Sequence, residues 1–172
     1  ADDMGLGKTV QVLALLLARA QRGGRRGAAR RTSLVVAPKS VIDGWVSEAA
    51  RFAPALRVLR YEGPERGALR AQIDAHDLVV TTYGTMLRDI ESLAARRFDY
   101  AILDEAQVIK NAGSRTARAA KLLRADHRLA LSGTPVENHL GELVSLLEFL
   151  NPGLLGSGRG LAALASGRQA CL

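Results

Sequence analysis

At 172 residues with 48% hydrophobic side chains, the chain is long enough to bury one substantial core and short for more than one domain. Its longest unbroken apolar run, Val12 to Ala18, falls far below the roughly 20 residues a membrane helix needs, no cleavable leader pattern opens the sequence, and the lone cysteine, Cys171, excludes an internal disulfide and a cysteine-based zinc site. The net charge of +7 is mostly local: Arg19, Arg22, Arg25, Arg26, Arg30 and Arg31 share a stretch without acids, so a nearly neutral intracellular domain with a solvated Arg/Gly loop is expected, nucleic-acid contact there being the lesser alternative.

In chain order, Thr9 to Ala20 is apolar on nearly every face, which predicts a buried helix starting at Lys8 or Thr9 and broken by Gly23, Gly24 and Gly27. Ser33 to Ala37 is a short β-branched and apolar run stopped by Pro38, the pattern of a buried parallel strand. Val41, Trp45, Ala49 and Phe52 then recur at helical spacing until Pro54. The cycle repeats with a strand at Arg57–Tyr61, a helix at Glu65–Ala75, a strand at Leu78–Thr82 and a helix at Met86–Ala95. Tyr100–Leu103 is the next strand, followed by a helix capped by Ser114 and reaching about Arg124, a short strand at Leu129–Leu131, and an amphipathic helix at Leu140–Leu150. Strands alternating with helices predict an α/β domain with a mainly parallel sheet flanked by helices.

Ligands of such sheets sit beyond the carboxyl ends of the strands, and three of those places carry chemistry. In Met4-Gly5-Leu6-Gly7-Lys8-Thr9, glycines would let backbone N–H groups surround phosphates at a helix N-terminus, with Lys8 on the outer phosphates and the Thr9 hydroxyl on Mg²⁺; an ordinary helix start is the alternative. Asp2 stands where the general phosphate-loop pattern has glycine. In Ile102-Leu103-Asp104-Glu105-Ala106-Gln107 an apolar strand delivers two carboxylates, Asp104 suited to hold Mg²⁺ and Glu105 to orient a water for attack on a γ-phosphate; a solvated acidic turn is the bland alternative. Leu131-Ser132-Gly133-Thr134-Pro135 runs from a strand into small hydroxyl residues able to link the acidic strand end to a neighbouring lobe, or to form a plain turn.

Taken together, Asp2 to Thr9, Asp104-Glu105-Ala106-Gln107 with Ile109-Lys110-Asn111, and Leu131 to Asn138 resemble helicase motifs I, II and III of the SNF2 (Swi2/Snf2) family. Leu34 to Ser40 with Trp45, and Val80-Thr81-Thr82-Tyr83, resemble its DNA-side motifs, and Asn151 to Gly156 resembles the segment that follows motif III. The resemblance covers residues 1–156 and implies a RecA-like P-loop lobe, a partial helicase ATP-binding domain, whose parent activity is ATP hydrolysis coupled to movement along double-stranded DNA. It assigns Gly5, Gly7, Lys8, Thr9, Asp104, Glu105 and Gln107 to ATP and Mg²⁺, and Gln107, Ser132, Gly133 and Thr134 to coupling between lobes. Pro38, Lys39, Ser40, Thr81 and Thr82 are its DNA-contact candidates, with ordinary strand–helix turns as the alternative; Trp45, at buried helical spacing, reads as core and not as a base-stacking platform.

The same resemblance implies a strand leading into the phosphate loop and a second RecA-like lobe, both of which these 172 residues are expected to lack. Ser157 to Leu172, built of Gly, Ala, Ser and Leu with two arginines, departs from the family and is expected to be a disordered or aberrant tail. Expectations of function therefore divide between an ATPase motor lobe of a DNA translocase in the cytoplasm or at the nucleoid, a nucleotide- or DNA-binding fragment without turnover, and a protein-interaction module. An RNA helicase is the weaker fourth choice.

Overall fold

The computed structural model describes residues 7–25, 32–133 and 140–153. Helix α1 (Lys8–Arg25) is followed by β1 (Ser33–Ala37), α2 (Ile42–Phe52), β2 (Val58–Tyr61), α3 (Arg66–Leu69), β3 (Leu78–Thr82), α4 (Tyr83–Arg88), α5 (Ile90–Ala94), β4 (Arg97–Leu103), α6 (Arg115–Leu122), β5 (Arg124–Ala130) and α7 (Leu140–Leu150). The described strands form one parallel sheet in the order β2-β3-β1-β4-β5. Helical crossovers carry the chain back after each strand, which is what parallel neighbours require.

Every residue of β1 and β3 is buried, so both strands read as continuous apolar runs. The period of two divides β1 between two cores. Leu34 and Val36 pack with Met86, Leu93, Ala117 and Phe149 from α4 to α7, while Val35 and Ala37 pack with Val12, Leu13 and Leu16 of α1 and with Ile42, Trp45 and Ala49 of α2. The predicted bounds of β1, β3 and α7 match the observed ones, and Ser114 caps α6 by accepting the Ala117 N–H at 3.1 Å.

Several elements differ from the sequence reading. Helix α1 is one-sided: Val12, Leu13 and Leu16 are buried, whereas Gln11, Ala14, Leu15 and Ala18 are exposed. It also continues through Gly23 and Gly24 to Arg25, since a helical glycine costs only about 1 kcal/mol. Phe52, placed on the buried stripe of α2, ends that helix 46% exposed. Glu65–Ala75 is not one helix but the single turn α3 and a 3₁₀ stretch at Arg70–Ala75, because Ile73 is the one buried residue they offer and so short an apolar face cannot hold a longer helix. Met86–Ala95 divides into α4 and α5 at Asp89, whose carboxylate is drawn to Tyr61 and Arg66. Strand β5 begins at Arg124, where the preceding helix was expected to end. The Leu6 side of the phosphate loop, the arginines from Arg26 to Arg31, the Thr134–His139 segment and the Ser157–Leu172 tail lie outside the described residues. No described helix is long and apolar enough to cross a membrane.

Candidate functional site

Register sets which strand ends share an edge. Ala37 of β1 stands opposite Thr82 of β3, Val36 opposite Leu103 of β4, and Leu103 opposite Ala130 of β5. The carboxyl-end segments Pro38–Ser40, Thr82–Tyr83, Asp104–Glu105 and Leu131–Gly133 therefore emerge side by side. Main-chain bonds lace them together: Asp104 N–H donates to Val36 at 2.9 Å, Ala106 N–H to Leu131 at 2.8 Å, and Leu131 N–H to Leu103 at 2.8 Å.

Gly7 leads into α1 with φ +69, a left-handed conformation that strains any L side chain, and its carbonyl accepts the first helical bond from Gln11 at 2.9 Å. No acidic residue occupies the first turn of α1. The positive helix end is thus joined by Lys8 and by the Thr9 hydroxyl, the charge arrangement that suits a phosphate. Gly5, the other predicted phosphate-loop glycine, lies outside the described residues.

Lys8 meets the acidic strand end at Gly133. A Cβ built there would stand 3.5 Å from Lys8 Nζ and 3.6 Å from Glu105 Oε1, so the cationic and anionic heads converge over the bare face of this glycine. Glu105 has φ 49 and ψ 55, a left-handed backbone unique to it among the described non-glycine residues. Such a conformation costs about 1–2 kcal/mol for an L residue and is typical of functional sites. Glu105 Oε2 accepts from Gln107 Nε2 at 2.5 Å, and Gln107 Oε1 accepts from the Ser132 hydroxyl at 3.2 Å. The structure thus brings Lys8, Glu105, Gln107, Ser132 and Gly133 together; Thr134 lies outside the described residues.

Asp104 is held differently. Its Oδ1 accepts the Glu105 N–H at 2.9 Å and its Oδ2 accepts the Trp45 indole N–H at 2.8 Å, while its carbonyl accepts the Tyr83 hydroxyl at 2.8 Å. Burial first, then the Asp104 and Glu105 charges, push the Tyr83 hydroxyl far above its ordinary range, so it remains a donor at any working pH. Neither Trp45 nor Tyr83 was assigned to the site from the sequence. The core reading of Trp45 is right as far as burial goes, at 1% exposed, but its indole nitrogen also serves the acidic strand end. Among the described residues no three His, Cys, Asp or Glu side chains gather to cage a metal. A carboxylate and a hydroxyl with hard oxygen donors do fit Mg²⁺, which is held by one or two protein oxygens and completed by water and substrate phosphates.

The DNA-contact candidates separate on exposure. Lys39 and Ser40 are exposed and Pro38 half-buried, in a 3₁₀ turn that feeds α2. Thr81 is fully buried, its hydroxyl donating to the Tyr61 carbonyl at 2.6 Å, so it offers nothing outward. Thr82 is 9% exposed and serves as the N-cap of α4, accepting the Thr85 N–H at 3.0 Å and donating to the Thr85 hydroxyl at 3.0 Å. Both threonines were expected at a DNA surface; their hydroxyls instead bind this fold together.

Comparison with known proteins shows the family. The family model for the SNF2-related domain matches residues 1–162. The chain is 40% identical over 165 residues to TATA-binding protein-associated factor mot1 of Schizosaccharomyces pombe, covering 91% of this chain and 8% of that protein. It is 42% identical over 173 residues to human TATA-binding protein-associated factor 172, covering 94% and 9%. The structure is similar to the Sulfolobus solfataricus SWI2/SNF2 ATPase core in complex with dsDNA, with a TM-score of 0.79 and 41% identity, covering 91% of this chain and 32% of that one.

Proposed function

The chain belongs to the SNF2-related domain family, with a RecA-like parallel sheet, and from that premise we propose that it is an ATP-binding motor lobe serving a DNA-dependent ATPase. The convergence of Lys8 and Glu105 over Gly133, at the one edge where the strand ends meet, is the observation that supports this most. In this reading Gly7 and the N-terminus of α1, with Gly5, cradle the phosphates, and Lys8 pairs with the outer ones. Thr9 and Asp104 hold Mg²⁺, which when bound neutralises charge developing on the phosphates. Glu105 orients the attacking water, and Gln107 keeps its carboxylate aimed. Gln107, Ser132, Gly133 and Thr134 form the contact that passes the state of the site to a second lobe. Lys39, Ser40 and Pro38 face the phosphate backbone of double-stranded DNA, which places the protein at the nucleoid or its equivalent.

We further infer that these 172 residues bind nucleotide without sustained turnover. Among the described residues no arginine hydrogen-bonds or ion-pairs with Asp104 or Glu105, and an arginine brought to the transition state is worth about 10³ to 10⁵ in rate. The chain spans 8% and 9% of the two curated relatives named above, so translocation belongs to longer assemblies in this reading.

The test is titration of the purified chain with a fluorescent ATP analogue and Mg²⁺. Lys8→Ala removes charge-assisted hydrogen bonds of about 1.5–3 kcal/mol, so affinity is expected to fall about 10- to 150-fold, while Glu105→Gln retains binding. Equal affinity in the parent chain and Lys8→Ala would sink the nucleotide site. On labelled duplex, Lys39→Ala is expected to lower the salt slope by about one.

A further inference from the structure

Several carboxylates of this fold are held by arginines. Asp77 pairs with Arg57, Asp89 with Arg66 and Arg70, and Asp99 with Arg19. Asp104 is held otherwise: the Trp45 indole reaches its carboxylate and the Tyr83 phenol its main-chain carbonyl, and neither carries positive charge. An arginine would orient the carboxylate and cancel its charge; a neutral N–H orients it and leaves the charge whole. A carboxylate that must attract a cation needs the second treatment, with each oxygen keeping a lone pair free of its one accepted bond.

We propose that Trp45 and Tyr83 are positioning residues that fix Asp104 for a divalent cation, Trp45 through Oδ2 and Tyr83 through the main-chain carbonyl. The inference rests on the reading of Asp104 as the carboxylate that holds Mg²⁺. The fold builds this clamp from both neighbouring turns. Trp45 stands one turn into α2, just beyond the Lys39–Val41 turn, and Tyr83 opens α4 directly after Thr82. Val36 fixes the third point by accepting the Asp104 N–H at 2.9 Å, and Glu105 N–H at 2.9 Å sets Oδ1. Trp45, at 1% exposed, cannot swing away without opening the core between α1, α2 and the sheet. The carboxylate plane is therefore set before any cation arrives.

Trp45 is the only tryptophan in the chain, so a ¹⁵N-labelled sample gives one indole N–H resonance that reports on Asp104 directly. In the full 172-residue chain, Asp104→Ala is expected to shift this resonance and to speed its exchange with water at least tenfold. Lys8→Ala is expected to leave it in place. Titration of Mg²⁺ against a fluorescent ATP analogue supplies the second arm. Loss of such an outer partner typically weakens metal binding about 10- to 100-fold, so Trp45→Phe should raise the Mg²⁺ midpoint by that factor while binding in EDTA stays unchanged. Tyr83→Phe, which deletes one oxygen, should raise it several-fold and carries this arm if Trp45→Phe does not fold. An indole resonance indifferent to Asp104→Ala overturns the proposal. So does Lys8-dependent nucleotide binding with parental Mg²⁺ midpoints in both variants, and that result leaves the ATP reading standing. A parent chain without Mg²⁺-dependent nucleotide binding sinks the ATP reading and this one together.

Discussion

The two halves of the sheet finish their strands in opposite ways. On the β2–β3 side, polar groups are satisfied within the fold: the Thr81 hydroxyl closes on Tyr61, Thr82 caps α4, and Asp89 collects Tyr61, Arg66 and Arg70. On the β4–β5 side, Glu105 sits in a left-handed backbone, Asp104 is aimed by neutral donors, and Lys8 and Glu105 face each other over a glycine. The first arrangement stabilises the domain. The second stores strain at Glu105 and, at Asp104, charge that no arginine cancels. Substitutions in the two halves should therefore move stability in opposite directions.

The largest effect is expected at Asp89. Its side chain is 5% exposed and that of Arg66 is 25% exposed. Removing one member of a buried ion pair strands the other, so Asp89→Ala should lower the unfolding free energy by about 3 kcal/mol or more in a urea titration. Burial raises the Asp89 pKa, but hydrogen bonds from Arg66 and Tyr61 and the charges of Arg66 and Arg70 outweigh it, and the net value lies below the ordinary 3.8. With the folded value depressed, the unfolded chain binds the extra proton first. The contribution of Asp89 is then complete above the ordinary carboxylate range and is lost as pH falls from about 4 through the folded value. An Asp89→Asn chain should lack that acid step, and an unaltered step would assign it to other carboxylates.

Next in size is Thr81→Val, which keeps the shape and deletes the hydroxyl. The Tyr61 carbonyl loses a 2.6 Å donor in a fully buried setting, with an expected cost of about 1–3 kcal/mol. Duplex binding should be unchanged. Parental stability together with weaker DNA binding would return Thr81 to the DNA surface and erase the contrast between the two halves.

How much of this could be read beforehand depended on whether the signal was local. The bounds of β1, β3 and α7 follow from apolar runs and their breakers, and Lys8, Asp104, Glu105, Gln107, Ser132 and Gly133 stand out because strand ends in parallel sheets share one edge. Strand β5 was shortened because Arg124-Ala125-Asp126-His127-Arg128 has no strand pattern; its pairing with β4, and not its composition, makes it a strand. The internal bonds of Thr81 and Thr82 were hidden for a related reason: a hydroxyl after a buried strand looks the same whether it faces solvent or a neighbouring carbonyl. The links from Trp45 and Tyr83 to Asp104 span 59 and 21 residues and exist only because β1 lies between β3 and β4. No periodicity within a short window reports such an adjacency.

The smallest expected effect has the opposite sign and lies at Glu105. Its φ of 49 puts an L side chain where only glycine is at ease, and relief of that strain is worth about 1 kcal/mol after the greater freedom of glycine in the unfolded chain is set against it. Glu105→Gly should therefore raise the urea midpoint slightly while removing the carboxylate that faces Lys8 and accepts from Gln107. Glu105→Ala is the necessary partner, because it loses the same carboxylate and keeps the strain. If strain is the cause, the glycine variant gains over the parent chain and over the alanine variant. If instead the proximity of two carboxylates limits stability, both variants gain alike, since both remove the charge beside Asp104. A loss of stability in the glycine variant would mean that the Gln107 bond to Glu105 outweighs the strain, and the β4–β5 edge would then be as self-satisfied as the β2–β3 edge.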